Sequence, residues 1–149
     1  MWDAWLGGLS EPKRRLLLRV LAERYQDEVR DKALVEQAAQ DLPVEPLREV
    51  LRRIARREAE HAALLAQKIR DLGGEVPPPP EVKKEATWRE LLAALESEKA
   101  DRVAYLEEAY GLGDPGIRDL FARIKEEEEQ NYRELLEVLS RIDPYAEGA

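Results

Sequence analysis

Shifted by 70 residues without a gap, the second half of this chain falls on the first, with Leu21 on Leu91, Glu28 on Glu98, Asp31 on Asp101 and Ala39 on Ala109. The register survives a loop, where Leu42 meets Leu112, and continues with Leu47 on Ile117, Leu51 on Phe121 and Ile54 on Ile124. It then runs through Glu58 on Glu128, His61 on Asn131, Leu65 on Leu135 and Leu72 on Ile142. Helical periodicity alone needs only a shift near a multiple of about 3.5 and would not hold across a loop. The expectation is a tandem copy of one helical hairpin, so the fold must be one that two such hairpins can build.

Composition and punctuation agree with helices. Ala, Leu and charged residues dominate, 38% of the chain being charged, and β-branched residues are scarce. Ser10 before Glu11-Pro12 caps a first helix, predicted to run to Gln40 and to end in Asp41-Leu42-Pro43. A second is predicted from Glu45 to Leu72, closed by Gly73-Gly74. Thr87 with Glu90 reads as a capping box for a third, ending near Gly111-Leu112-Gly113. Asp114-Pro115 opens a fourth, which reaches Ile142 before Asp143-Pro144.

The connections set the topology. Short links join the first helix to the second and the third to the fourth, so each pair is expected to be antiparallel, in hairpins 11–72 and 88–142. The middle connection, 73–87, is much longer and holds Pro77-Pro78-Pro79-Pro80. Helices of about 26 residues are roughly 39 Å long. About fourteen linker residues at about 3.1 Å each can just span that length. Short, long, short is the loop pattern of an all-α four-helix bundle with one crossover, a single domain over 1–149. The alternative is two hairpins held loosely apart by the proline run.

Acidic residues interrupt the faces that should be buried. The second helix carries a stripe of Leu47, Leu51, Ile54, Glu58, His61, Leu65 and Leu72 at spacings suited to one helical face. The fourth repeats it with Ile117, Phe121, Ile124, Glu128, Asn131, Leu135 and Ile142. Glu28 and Glu98 occupy the matching faces of the first and third. Glu28 and Glu58 each lie 15 residues from Pro43, and Glu98 and Glu128 each lie 15 from Gly113. In an antiparallel hairpin, equal distance from the turn means equal height, so four inward glutamates should meet in one layer.

A dry layer of four carboxylates is untenable by itself, because burial and mutual repulsion oppose ionisation. A multivalent cation resolves this, and inward glutamates with an i, i+3 Glu–His pair are how helical bundles hold two metals. Oxygen-rich donors with one imidazole suit iron or manganese, with zinc as another occupant. The competing explanation is ordinary ion pairing with a basic side chain reaching inward, for which Arg102 and Lys32 are candidates.

The stretch Arg57-Glu58-Ala59-Glu60-His61-Ala62-Ala63-Leu64-Leu65 resembles the Glu-x-x-His helix of the ferritin-like superfamily, rubrerythrins especially. Glu98 followed by Tyr105 and Ala109 is similar to that family's third helix, and the likeness covers residues 11–142. The resemblance implies a ferritin-like bundle holding two iron ions. Glu58 and Glu128 would bridge them, Glu28 and His61 would complete one, and Glu98 would serve the other. It further implies oxidation of Fe(II) by oxygen or peroxide, in peroxide detoxification or iron storage, and assembly as a homodimer or larger homo-oligomer.

Two departures bear on that expectation. The second Glu-x-x-His stands here as Glu128-Glu129-Gln130-Asn131, which removes one imidazole and leaves the Asn131 carbonyl, or Asp101, as a weaker substitute. A reading displaced by one residue would place Tyr132 there, but both the repeat and the apolar stripe favour Asn131. The chain also has no cysteine, so it carries no rubredoxin-like module, and redox turnover would need an external reductant.

The remaining features bound the function. Twenty-four basic against 32 acidic residues give a net charge of −8, which argues against nucleic-acid or anionic-membrane partners. No apolar run approaches the ~18 residues of a membrane span, the first ten residues do not read as a secretory signal, and a cytoplasmic protein is expected. Trp2, Trp5, Leu6 and Leu9 form an apolar cluster that would cover one bundle end or mediate self-association. Tyr25 and Tyr105 are expected on the core side near the acid layer, and Glu126–Glu129 reads as a mostly solvated face. Ser10, Ser97 and Ser140 have no placed histidine base, which disfavours a serine hydrolase. Two classes of function remain: a metal-dependent oxidoreductase of ferroxidase or peroxidase type, and a non-catalytic bundle with a structural or interaction role.

Overall fold

A computed structural model describes residues 10–81 and 114–142. The expected third helix, with Ser97, Glu98, Asp101, Arg102 and Tyr105, lies outside the described residues, as do Trp2, Trp5, Leu6 and Leu9. Among the described residues the secondary structure is entirely helical: α1 (Glu11–Gln40), α2 (Glu45–Asp71) and α3 (Pro115–Ile142). Their bounds follow the sequence punctuation, α3 being the helix expected to be fourth.

Each start and stop has a local cause. The Ser10 hydroxyl accepts from the Lys13 amide at 3.4 Å, and Asp114 Oδ1 accepts from the Ile117 amide at 2.9 Å, each satisfying a first-turn donor. At the end of α2, Gly73 turns to φ 78°, a left-handed conformation that costs a glycine little. This lets the Gly73 amide donate to the Arg70 carbonyl and the Gly74 amide to that of Ile69, both at 2.9 Å. The pair of bonds is a Schellman closure.

Packing fixes the directions. The start of α1 (Leu17, Val20, Leu21) shares one apolar cluster with the end of α2 (Leu65, Ile69, Leu72) and the start of α3 (Ile117, Phe121, Ile124). The end of α1 (Leu34, Val35, Ala39) shares a second with the start of α2 (Leu47, Leu51, Ile54) and the end of α3 (Leu135, Val138). Helix α2 therefore runs antiparallel to both neighbours, and α1 and α3 run parallel. In a four-helix bundle with short turns throughout, the second and last helices would run parallel; the opposed setting of α2 and α3 is consistent with the expected long connection.

The chain beyond α2 runs back along α1. Beyond Gly74, which sits against Leu18, the chain is extended, and the Pro78 carbonyl accepts from Gln26 Nε2 at 3.2 Å. From Leu18 to Gln26 a helix rises about 12 Å. Four residues of polyproline-like chain cover about the same distance. The chain from Gly74 to Pro78 thus climbs alongside α1.

Candidate metal centre

Between the two apolar clusters lies a polar layer. Glu28 from α1, Glu58 and His61 from α2, and Asn131 from α3 are fully buried, and Glu128 from α3 is 1% exposed. One ligand atom from each of Glu28, Glu58, His61 and Glu128 can be chosen so that all lie within 4.8 Å of one another. Equal spacing from the turn does bring Glu28 and Glu58 to one height, and the antiparallel approach of α3 adds Glu128. Glu98, the fourth expected carboxylate, lies outside the described residues.

A cation already stands in this layer, and sequence reasoning placed others there. Arg24, 2% exposed, donates from Nη2 to Glu28 Oε1 at 2.7 Å and to Glu128 Oε1 at 2.8 Å. Lys32 instead pairs with Glu36 at the surface, at 3.0 Å. The missed signal is the spacing 17, 21, 24, 28, 31, 35, a run of fours and threes that places Arg24 and the fully buried Asp31 on the inward stripe of α1. Tyr25 falls beside that stripe, half-buried against the apolar cluster.

The two glutamates that face each other are driven apart electrostatically. At Glu58, burial pushes the carboxyl well above the usual carboxylate range, reinforced by the negative charges of Glu28 and Glu128, so it stays protonated. At Glu28 burial pushes the same way, but the Arg24 guanidinium beside it, with the polar groups of Glu58, Glu128 and His61 close by, outweighs it. Glu28 is held well below the usual range and is ionised. A neutral acid beside a carboxylate is how this layer tolerates its own density of oxygens.

Other contacts decide which atoms remain open. Asn131 donates from Nδ2 to Glu58 Oε1 at 3.0 Å, while its Oδ1 accepts from Arg57 Nη1 at 2.8 Å. Arg57 is itself bound to Glu134, so the amide is anchored with its nitrogen toward Glu58 and its carbonyl turned to Arg57. Both His61 nitrogens, Glu28 Oε2 and Glu58 Oε2 are buried without a hydrogen-bond partner. His61 Nδ1 lies 3.5 Å from Glu28 Oε2, and His61 Nε2 lies 3.4 Å from Glu127 Oε1. Glu127, assigned above to a solvated face, is therefore a neighbour of the site that the apolar stripe does not reveal.

Buried acceptors and an imidazole that lack partners are expensive unless something fills the space between them. Carboxylate oxygens with one imidazole nitrogen, spaced this closely, fit a divalent cation of the iron or manganese type.

No helix among the described residues is long and apolar enough to cross a membrane. No curated protein matches the chain. The sequence does match a family described as Ferritin-like domain over residues 38–144, which takes in α2, α3 and the Glu58, His61, Glu128 and Asn131 positions. On that match, spanning most of its length and ending just beyond α3, the chain belongs to the ferritin-like domain family.

Proposed function

We propose that this chain is a metal-binding member of the family, holding iron or manganese in the buried carboxylate layer of a four-helix bundle. In this reading two duplicated hairpins, 11–72 and 88–142, are joined by the crossover 73–87 in one domain. Glu28, Glu58, His61 and Glu128 are the core of the ligand set, with Glu98 on its second side, while Asn131, expected as a carbonyl ligand, instead braces Glu58 with its carbonyl held by Arg57. The observation that carries the proposal is the group of four buried ligand atoms within 4.8 Å, lying between two apolar clusters that keep bulk water away.

Bound iron would supply the capacity to pass electrons from Fe(II) to oxygen or peroxide, as in the rubrerythrin-like proteins that the Glu-x-x-His stretch resembles. The chain's own residues do the rest. Glu58 gives up its proton to become a ligand, which couples metal uptake to pH. Glu127, facing His61 Nε2, orients the ring so that Nδ1 points into the layer. Leu21, Leu65 and Ile124 on one side, and Leu51, Ile54 and Leu135 on the other, close the layer from above and below. The setting is a cytoplasmic homo-oligomer supplied with electrons from outside the chain.

A second reading has one observation in its favour: Arg24 already compensates two of the carboxylates, as a purely structural bundle would require. Thermal melts with and without Mn(II) separate the two. A ligand at 100 times its dissociation constant stabilises the native state by about 2.7 kcal/mol. The native chain is expected to melt several degrees higher with Mn(II), and Glu58→Ala to lose that gain. A native chain indifferent to the metal would leave the structural reading standing.

A further inference from the structure

We propose that the Arg24 guanidinium takes the place of a second metal ion, so that the layer accepts one divalent cation per chain and remains folded without any. The inference rests on the metal-binding part of the function proposed above. It departs from the paired-iron expectation: one ferrous ion gives one electron, so reduction of peroxide to water, which takes two, would need a second from a reductant outside the chain.

Arg24 Nη2 holds Glu28 Oε1 and Glu128 Oε1, at 2.7 and 2.8 Å. Asn131 Nδ2 holds Glu58 Oε1 at 3.0 Å, and Arg57 keeps the amide in that orientation. One oxygen of each of these three glutamates is thus occupied by a nitrogen donor. The side that remains is the His61 side, where Glu28 Oε2, Glu58 Oε2 and the inward His61 Nδ1 have no hydrogen-bond partner. Among the described residues these open atoms face one position, where one atom each of Glu28, Glu58, His61 and Glu128 lie within 4.8 Å of one another. His61 is the only histidine in the chain, so the opposite side gains no imidazole from elsewhere.

Charge points the same way. Among the described residues, the layer holds three glutamates, and one guanidinium with one divalent ion neutralises them once Glu58 is ionised. Asp31, the other buried acid of α1, has the Arg30 guanidinium 3.8 Å away. Counted over the described residues, a second dication beside Arg24 would leave an excess of buried positive charge. Arginine suits the role because it stays charged and can reach two carboxylates at once.

The test is Mn(II) binding by equilibrium dialysis, with thermal melts of metal-free protein, on the native chain, Arg24→Met and Arg24→Lys. The native chain is expected to bind one ion and to melt cooperatively when metal-free. Arg24→Met frees Glu28 Oε1 and Glu128 Oε1. Its metal-free form is expected to melt about 10 °C lower, to recover with Mn(II), and to bind two ions. Arg24→Lys keeps the charge and is expected to bind one. If Arg24→Met fails to fold even with Mn(II), the counts for the native and lysine forms decide. Two ions on the native chain would overturn the inference and leave the metal-binding reading intact. One ion on both the native and methionine forms, with unchanged melting, would also overturn it alone. No ion on the native chain would overturn both.

Discussion

At Glu58 and Glu28, similar burial gives opposite protonation, because only Glu28 has Arg24 against it. This has a sign that can be measured in metal-free protein. A carboxyl raised in the folded state contributes stability that is fully present below its unfolded value, near 4.5, and is lost as the pH rises toward the folded value. Glu28 does the reverse: its contribution is present above 4.5 and is lost only in strong acid. Between pH 5 and pH 8 the Glu58 term dominates, with a slope of at most about 1.4 kcal/mol per pH unit. Glu58→Gln keeps an acceptor for Asn131 but does not titrate. Urea unfolding should therefore show the native chain losing ground to the Gln form from pH 5 to pH 8. Parallel pH curves would contradict the assignment of Glu58 as the protonated member. A companion test concerns Glu127: if it orients His61, Glu127→Ala should weaken Mn(II) binding about 10- to 100-fold with little change in metal-free stability.

The helices owe their limits to a few residues whose removal has a defined cost. Gly73 has φ 78°, where a side chain is strained, so Gly73→Ala should cost about 1–2 kcal/mol in urea unfolding. Removing the Asp114 cap should cost about 1 kcal/mol. Leu51, fully buried between all three described helices, should lose about 2–5 kcal/mol on truncation to Ala, whereas half-exposed Leu136 should lose under about 0.5 kcal/mol. These limits and faces were legible in the sequence because prolines, glycines and caps mark ends, and apolar periodicity marks the buried side. Glu58, His61 and Glu128 were legible for the same reason, as polar residues breaking an apolar stripe. Arg24 was not, because its long side chain can snorkel outward or turn inward from the same helical position. Nor was Glu127, which lies off the stripe and meets His61 only through the approach of α3 to α2. The orientation of Asn131 depends likewise on Arg57 from the neighbouring helix.

Across the whole molecule, two apolar clusters hold a charged layer in a position where charge is costly. That arrangement is reasonable only if the layer is compensated, and Arg24 alone leaves the His61 side open. The antiparallel setting of α2 against both α1 and α3 brings Glu58 and His61, in the middle of α2, to the height of Glu28 and Glu128. The measurement that bears most directly on this account is the iron content of the native chain after anaerobic reconstitution with Fe(II), read beside Glu58→Ala, with absorbance followed on admitting oxygen or peroxide. The account predicts about one iron per native chain, lost in the variant, and no oxo-bridged di-ferric band. A native chain that retains no iron would contradict the central claim that this buried layer is a metal site.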